Sequence, residues 1–453
     1  MGKQKFLSYF VAVFSLVGYL LISYRIERFE TIPLLLTYSF LFGLYVLIIK
    51  YSEEDKIQFW IFTAVIFRLG LLLSIPNLSD DVFRFIWDGR LLAAGYHPFA
   101  ELPAHYLQQG IPGIDQALYD KLNSQAYFTI YPPLAQFVFW IAASLSPNSI
   151  TGSIVIMRCL IIASEVGSIY LLRKLLTKFH LPEKDVLIYA INPLVILELT
   201  GNLHFEAFVI FFLLLSLWLI TQDRIKQAAI SFSLAICTKL LPIIFLPLFM
   251  LRIGWKRALI LYLSIGICCI VFFLPLWNKE VMEGFSQSIG LYFKKFEFNA
   301  SLYYVVREYG FWHKGFNTIQ TIGWKMGLVA GILIVIVAAS PLLTMYKSVE
   351  HRKIASAEDH MIMSLPLVMM WSLLIYFLFT TTLHPWYIST LLALSVFTRF
   401  RFVMVWTGLI FLTYWGYSRD GFLEQMWITA VEYLLVFGYL VYELIWKKER
   451  QYS

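Results

Sequence analysis

Long apolar runs recur from one end of the chain to the other, and they decide what it can fold into. They cover 6–24, 33–50, 57–75, 132–146, 154–172, 186–200, 205–221, 228–250, 257–276, 322–346, 361–380, 386–398, 402–418 and 425–446. A helix needs about 20 such residues to cross about 30 Å of hydrocarbon. In lipid every backbone polar group must be satisfied internally, so a continuous run reads as a helix. A transmembrane barrel would instead show alternating segments of about ten residues. Hydrophobic residues make up 59% and charged residues 14%, against about 45–50% and about 25% in soluble domains. A soluble interior has no room for that much apolar surface. The sequence therefore predicts an all-α integral membrane protein, a polytopic helical bundle of roughly 11–14 transmembrane helices, since several runs are short. With no internal repeat and no soluble-looking segment, 1–453 reads as a single membrane domain.

The net charge of +7 fits the collection of Lys and Arg in cytoplasmic loops better than a nucleic-acid partner. Lys3 and Lys5 at the start, and Lys447, Lys448 and Arg450 at the end, set both termini inside. The run 6–24 has no small-residue cleavage site after it and reads as an uncleaved first span. Alternation then places 76–131, 277–321, 381–386 and 418–424 outside, and 347–359 in the cytoplasm. The expected location is the cytoplasmic (inner) membrane, with two large outer loops, 76–131 and 277–321. Runs 132–146 and 228–250 disturb the alternation. The first opens Tyr-Pro-Pro and the second contains Lys239, Pro242 and Pro247. Either suits a re-entrant or broken helix, which is tolerated where it lines a polar cavity. Cys159, Cys237, Cys268 and Cys269 all lie in apolar runs, so neither a disulfide nor a zinc site is expected.

Chemistry concentrates in 76–99. Asp80 and Asp81 follow a span at the outer face, and Arg84, Asp88 and Arg90 follow among Phe83, Phe85, Ile86, Trp87, Leu91 and Leu92. Helical spacing makes this an amphipathic segment, expected to lie at the interface with its arginines towards headgroups. An adjacent acid pair at a membrane edge suits one kind of reaction. A carboxylate takes a proton from an acceptor hydroxyl, while cations stabilise a departing lipid phosphate. Other polar groups break apolar runs at a similar depth: Tyr131-Pro132-Pro133, Asn202-Leu-His204-Phe-Glu206, Lys239, Arg307 after the second outer loop opens, and His384-Pro-Trp386-Tyr387. Ionisable groups at membrane depth are expensive and point to function. The blander readings are snorkelling for Lys239, interfacial histidines, and prolines that start helices. No HExxH, phosphate-loop or dinucleotide fingerprint is present.

The stretch Ser79-Asp80-Asp81-Val82-Phe83-Arg84-Phe85-Ile86-Trp87-Asp88-Gly89-Arg90, followed by Gly95-Tyr96-His97-Pro98-Phe99, resembles the first outer loop of GT-C fold glycosyltransferases. It is most similar to bacterial polyprenyl-phosphate-mannose-dependent mannosyltransferases. Tyr131-Pro132-Pro133-Leu134, Asn192-Pro193 and Asn202–Glu206 resemble further motifs of that group, and Lys239-Leu-Leu-Pro242 and His384–Tyr387 match more loosely. The sequence has His97 where the group has Asn before Pro, and Asp-Asp where eukaryotic relatives have Asp-x-Asp. The resemblance implies a GT-C-like bundle with amphipathic interfacial helices in the first outer loop. It also implies an enzyme that moves a hexose, mannose above all, from a polyprenyl-phosphate donor to a lipid-linked or glycan acceptor outside the membrane.

On this reading Asp80 or Asp81 is the catalytic base. Arg84, Asp88, Arg90, Tyr131, His204, Glu206, Lys239, Arg307, His384 and Tyr387 are candidate substrate contacts. No cofactor is expected and no dedicated metal cage is visible, although a divalent metal is not excluded. The expected partners are the lipid-phosphate donor, the acceptor and membrane lipid, with no nucleic acid. The alternatives are a transporter or flippase of lipid-linked sugars, which usually shows repeated halves, and an O-antigen ligase or polymerase-like enzyme.

Overall fold

A computed structural model describes residues 2–294, 296–340 and 357–449. The fold is helical, and the only strands among the described residues form a hairpin of Tyr417–Ser418 with Gly421–Phe422. Seven helices are long and apolar enough to cross a membrane: Phe6–Tyr24, Thr31–Tyr51, Ile150–Lys178, Trp255–Leu276, Ile319–Ala339, His360–Phe379 and Met426–Ile445. The pair Val195–Gly201 and Glu206–Thr221, bent by 108°, makes an eighth if counted as one span. Shorter apolar helices occupy Pro133–Leu145, Ile225–Thr238, Leu241–Arg252 and Phe402–Gly416. The protein is thus an all-α polytopic membrane protein. Most of loop 347–359, expected in the cytoplasm, lies outside the described residues.

The two irregular runs resolve differently. Run 132–146 is one short helix, Pro133–Leu145, started by the proline pair, whose fixed φ suits a first turn. Run 228–250 is broken. Its helix ends at Thr238, Lys239 is extended at φ −156° and ψ 134°, and a 3₁₀ turn begins at Leu241. Pro242, which cannot donate to a helical ladder, stands at the break.

Helix Ile150–Lys178 is central, with 56% of its apolar window buried by protein, against 17% for the peripheral Trp255–Leu276. The bent pair packs against it through a charged network. Arg68 gives Nη2 to Glu165 at 2.8 Å, and Glu165 also accepts from the Thr200 hydroxyl. Arg158 has no acidic partner among the described residues. Its Nε bonds the Thr200 carbonyl, Nη1 those of Leu72 and Ser74, and Nη2 that of Gly201, at 2.6–2.8 Å. A π-type turn over Val195–Gly201 and the chain leaving Leu71 expose carbonyls that no helix satisfies. The guanidinium supplies the donors that water cannot bring to this depth. Arg158→Met should strand these four oxygens. Each unsatisfied buried group costs about 1–3 kcal/mol, so thermal unfolding in detergent should show a loss of several degrees or more, largely restored by no residue other than arginine.

The amphipathic helix Asp81–Ala93 corrects one expectation. It does not lay its arginines on lipid. Residues 103–131 fold back over it, and Arg84, Asp88 and Arg90 are all buried. Its other face lies on Pro133–Leu145 so closely that a Cβ on Gly89 would come within 2.3 Å of the Phe139 carbonyl oxygen.

Candidate active site

The acid pair sits where segment 76–80 turns into helix Asp81–Ala93. Asn77 pins that segment to the end of the first span, donating to the carbonyls of Ile22 and Ile26 at 2.7 and 2.6 Å. Asp80 occupies the N-cap position, yet its side chain caps nothing. Instead Oδ2 accepts from Arg28 Nη2 at 2.5 Å. Asp81 Oδ1 accepts from the Asn123 amide at 2.7 Å. Both carboxylates remain partly accessible.

A second group forms at the break between the two halves of the bent span. Leu203 is held at φ +61°, a left-handed conformation costly for a branched side chain. That turn sends His204 and Glu206 to the same side. Glu206 takes the Lys239 ammonium as its partner, and the ammonium lies 3.7 Å from the centroid of the Tyr387 ring. His204 stacks on Trp386 at 3.6 Å, and Trp386 stacks on His384 at 4.5 Å. His384 meets Phe298 at 4.6 Å. Phe298 is fixed by backbone bonds to Thr381 and Leu383. Five of the candidate residues, His204, Glu206, Lys239, His384 and Tyr387, thus share one wall.

The wall and the acid loop are joined. Asn202 accepts from the backbone N–H of Leu78 at 3.2 Å and donates to Glu198 at 3.3 Å. Glu198 Oε2 lies 3.4 Å from His204 Nε2, within ion-pair range though not in hydrogen-bond geometry. Its other oxygen accepts from Tyr414 at 2.6 Å. Tyr414 stacks on Tyr417, and the Arg28 guanidinium lies 5.0 Å from the Tyr417 centroid.

The remaining candidates are turned elsewhere. Arg84 spends its donors on Asp88 and on the carbonyls of Ser124 and Tyr127. Asp88 accepts also from Gln136 and Thr129. Arg90 bonds the Gly113 carbonyl at 2.6 Å. These three hold the loop on its helix. Tyr131 packs edge-on against Phe85 and Phe139. Arg307 belongs to a separate cluster, paired with Glu297 at 2.7 Å and Glu308 at 2.9 Å and lying over Tyr304. Residues that sequence reasoning missed are Arg28, Asn123 and Glu198. Arg28 had a signal: it stands in a loop that charge asymmetry assigns outside, where arginine is unexpected. Among the described residues no group of three His, Cys, Asp or Glu side chains is placed to hold a metal ion.

Burial, helped by the Lys239 ammonium and by His204, pushes the His384 imidazole down to about 3. It therefore stays neutral at working pH. The unfolded chain binds a proton near its ordinary value of about 6.5 that the folded state refuses. Stability from this group is complete above about 6.5 and falls as pH drops towards 3. His384→Gln should flatten that part of the acid loss, read from thermal unfolding at stepped pH.

Residues 13–254, more than half of the chain, match the MptA_B family, described as alpha-(1->6)-mannopyranosyltransferase, N-terminal domain. The chain belongs to this family. The MptA_B match covers the acid loop, the bent span and Lys239 and ends before His384 and Tyr387. Alpha-(1->6)-mannopyranosyltransferase A of Mycobacterium tuberculosis is 26% identical over 200 residues. That alignment takes in 41% of this chain and 35% of the relative, so it spans about a third of the relative's length.

Proposed function

We propose that this MptA_B-family protein is an integral membrane mannosyltransferase. It takes mannose from a polyprenyl-phosphate donor at the outer face and passes it to a lipid-linked or glycan acceptor. The observation that carries the reading is the broken span. Its turn brings Glu206 against Lys239 and His204 against Trp386, which also stacks on His384, and Asn202 ties the same turn to the acid loop. This connection supports a site in which an aspartate serves the acceptor while Arg28 and Lys239 serve the lipid phosphate.

In the proposed reaction the acceptor hydroxyl oxygen attacks the anomeric carbon. The bond from that carbon to the phosphate oxygen breaks, and the lipid phosphate leaves with the electron pair. The hydroxyl proton passes to an aspartate of the acid pair, a step worth about 10²–10⁴-fold in rate. The departing phosphate gains charge, which preorganised cations stabilise.

The name of the mycobacterial relative supports mannose, and the absence of a nucleotide-binding fingerprint in the sequence supports a lipid-linked donor. The charge asymmetry of the loops supports the outer face. A transfer assay in membranes tests this, comparing polyprenyl-phosphate mannose with the corresponding glucose and arabinose donors and with nucleotide sugars. Transfer from polyprenyl-phosphate mannose is expected. Transfer from a nucleotide sugar alone would overturn the donor assignment. Impermeant labelling of single cysteines at Gln108 and Ser356 tests the orientation, with Gln108 expected to react and Ser356 to be protected.

A further inference from the structure

The cations around the site differ in how much of their hydrogen-bonding capacity is already used. Arg84 and Arg90 bond loop carbonyls, and Arg158 bonds four carbonyls deep in the bundle. Arg68 is taken by Glu165 and two carbonyls. Arg307 is divided between Glu297 and Glu308. Lys239 is paired with Glu206 and lies over Tyr387. Arg28, the cation paired with the acid loop, keeps most of its capacity. A guanidinium carries five N–H donors, and among the described residues Arg28 makes one side-chain hydrogen bond, from Nη2 to Asp80.

Its placement is held from several sides. Asn77 grips the chain at Ile22 and Ile26, just before the loop. Glu30 accepts from the backbone N–H of Glu27 at 2.8 Å. Tyr417 lies under the guanidinium, and through Tyr414 it leads to Glu198 beside His204. Arg28 therefore stands at the seam between the acid loop and the wall that holds Lys239. Its side chain is 29% exposed, and that of Asp80 38%. A planar fork with unspent donors, partly open at such a seam, matches the geometry of a phosphate.

Resting on the proposed donor, we propose that Arg28 binds the donor's phosphate and gives up Asp80 in doing so. In the resting protein Arg28 and Asp80 occupy each other. The arriving lipid phosphate offers two or more anionic oxygens to the guanidinium and replaces the single carboxylate bond. Asp80 is then released, unpaired, beside the acceptor. Donor binding and exposure of the base become one event, so the carboxylate is available when a sugar is present to be transferred.

The Arg28–Asp80 pair is partly exposed, and such pairs are worth about 0.2–1 kcal/mol. Removing the internal competitor should therefore tighten phosphate binding modestly. Binding of a short-chain polyprenyl phosphate to the purified full chain in detergent, without acceptor, reads this directly. Asp80→Asn should bind about twofold to fivefold more tightly than wild type. Arg28→Gln should bind about tenfold or more weakly, because a charge-assisted hydrogen bond is lost. Arg28→Lys, which keeps the charge and is the milder change for folding, should fall between wild type and Arg28→Gln. In turnover, Arg28→Gln should raise the donor KM and leave the acceptor KM unchanged, a split that a general loss of packing would not produce. If wild type binds polyprenyl phosphate and all three variants bind as it does, the exchange is overturned while the lipid-phosphate donor stands. Weaker binding by Asp80→Asn also overturns it. If wild type does not bind polyprenyl phosphate, the proposed donor falls, and the exchange with it.

Discussion

Asp80→Asn is expected to insert and fold normally and, if Asp80 is the base, to transfer sugar about 10²–10⁴-fold more slowly than wild type, the range for losing a general base. Two features separate chemistry from folding in this variant. Asp80 stands at the N-cap but makes no capping bond through its side chain, so the helix loses nothing when the carboxylate goes. Its one ion pair is partly exposed, and such pairs contribute about 0–1 kcal/mol. Asparagine keeps the shape but gives Arg28 only a weaker, uncharged acceptor. A melting temperature within a few degrees of wild type, together with near-complete loss of transfer in membranes, is the expected result. Asp81→Asn should impair transfer less. Asp81 is held by Asn123 on the side facing the folded-back loop, which suits positioning of the acceptor. Full activity in both variants would make the acid pair structural and remove the mechanism. Loss in Asp81→Asn alone would move the base by one residue.

Much of the fold was legible because lipid simplifies the problem. A run of about 20 apolar residues in hydrocarbon has a helix as its stable form, so runs such as 6–24 and 425–446 became spans directly. Breaks were legible where polar residues and proline interrupted an apolar run, as at Asn202–Glu206 and at Lys239. The surroundings of helix Asp81–Ala93 were not. Its periodicity marks one polar face, but periodicity does not distinguish a headgroup layer from a loop that folds back. Arg84 and Arg90 answer to the carbonyls of 113, 124 and 127, and that pairing depends on distances across the chain.

The buried arginines carried a signal that went unused. Arg68, Arg158 and Glu165 lie inside apolar runs, and charge at that depth marks a partner or a role. What Arg158 holds, carbonyls of the π-type turn and of the chain after Leu71, is not written in any local pattern. Arg28 shows the opposite case. In a loop six residues long, 25–30, its charge was legible and its partner 52 positions away was not. Asn77, three residues before Asp80, bonds the carbonyls of Ile22 and Ile26, just before Arg28, and so brings the cation to the acid segment.

Lys239 is the second residue whose loss should be severe, and its test needs a companion. Lys239→Ala leaves Glu206 without its cation, and Glu206 has only 6% of its side chain exposed. Breaking a well-buried pair from one side costs about 3–5 kcal/mol; here the lysine end is 28% exposed, so a smaller penalty is expected. A fall in activity in that single variant would mix instability with lost binding. Lys239→Ala combined with Glu206→Gln removes both charges and should recover most of the thermal stability. If Lys239 faces the donor phosphate, the double variant stays defective: its donor KM rises, or its kcat falls, by about 10–100-fold, as expected for one charge-assisted hydrogen bond, and the acceptor KM does not move. The extended backbone at Lys239 and the Tyr387 ring beneath the ammonium hold it in place, so Lys239→Arg should keep part of the donor response. Recovery of full transfer in the double variant would show that the pair braces the broken helices against each other and that the phosphate is held elsewhere. An impaired acceptor response with normal donor use would instead assign Lys239 to the acceptor side of the site.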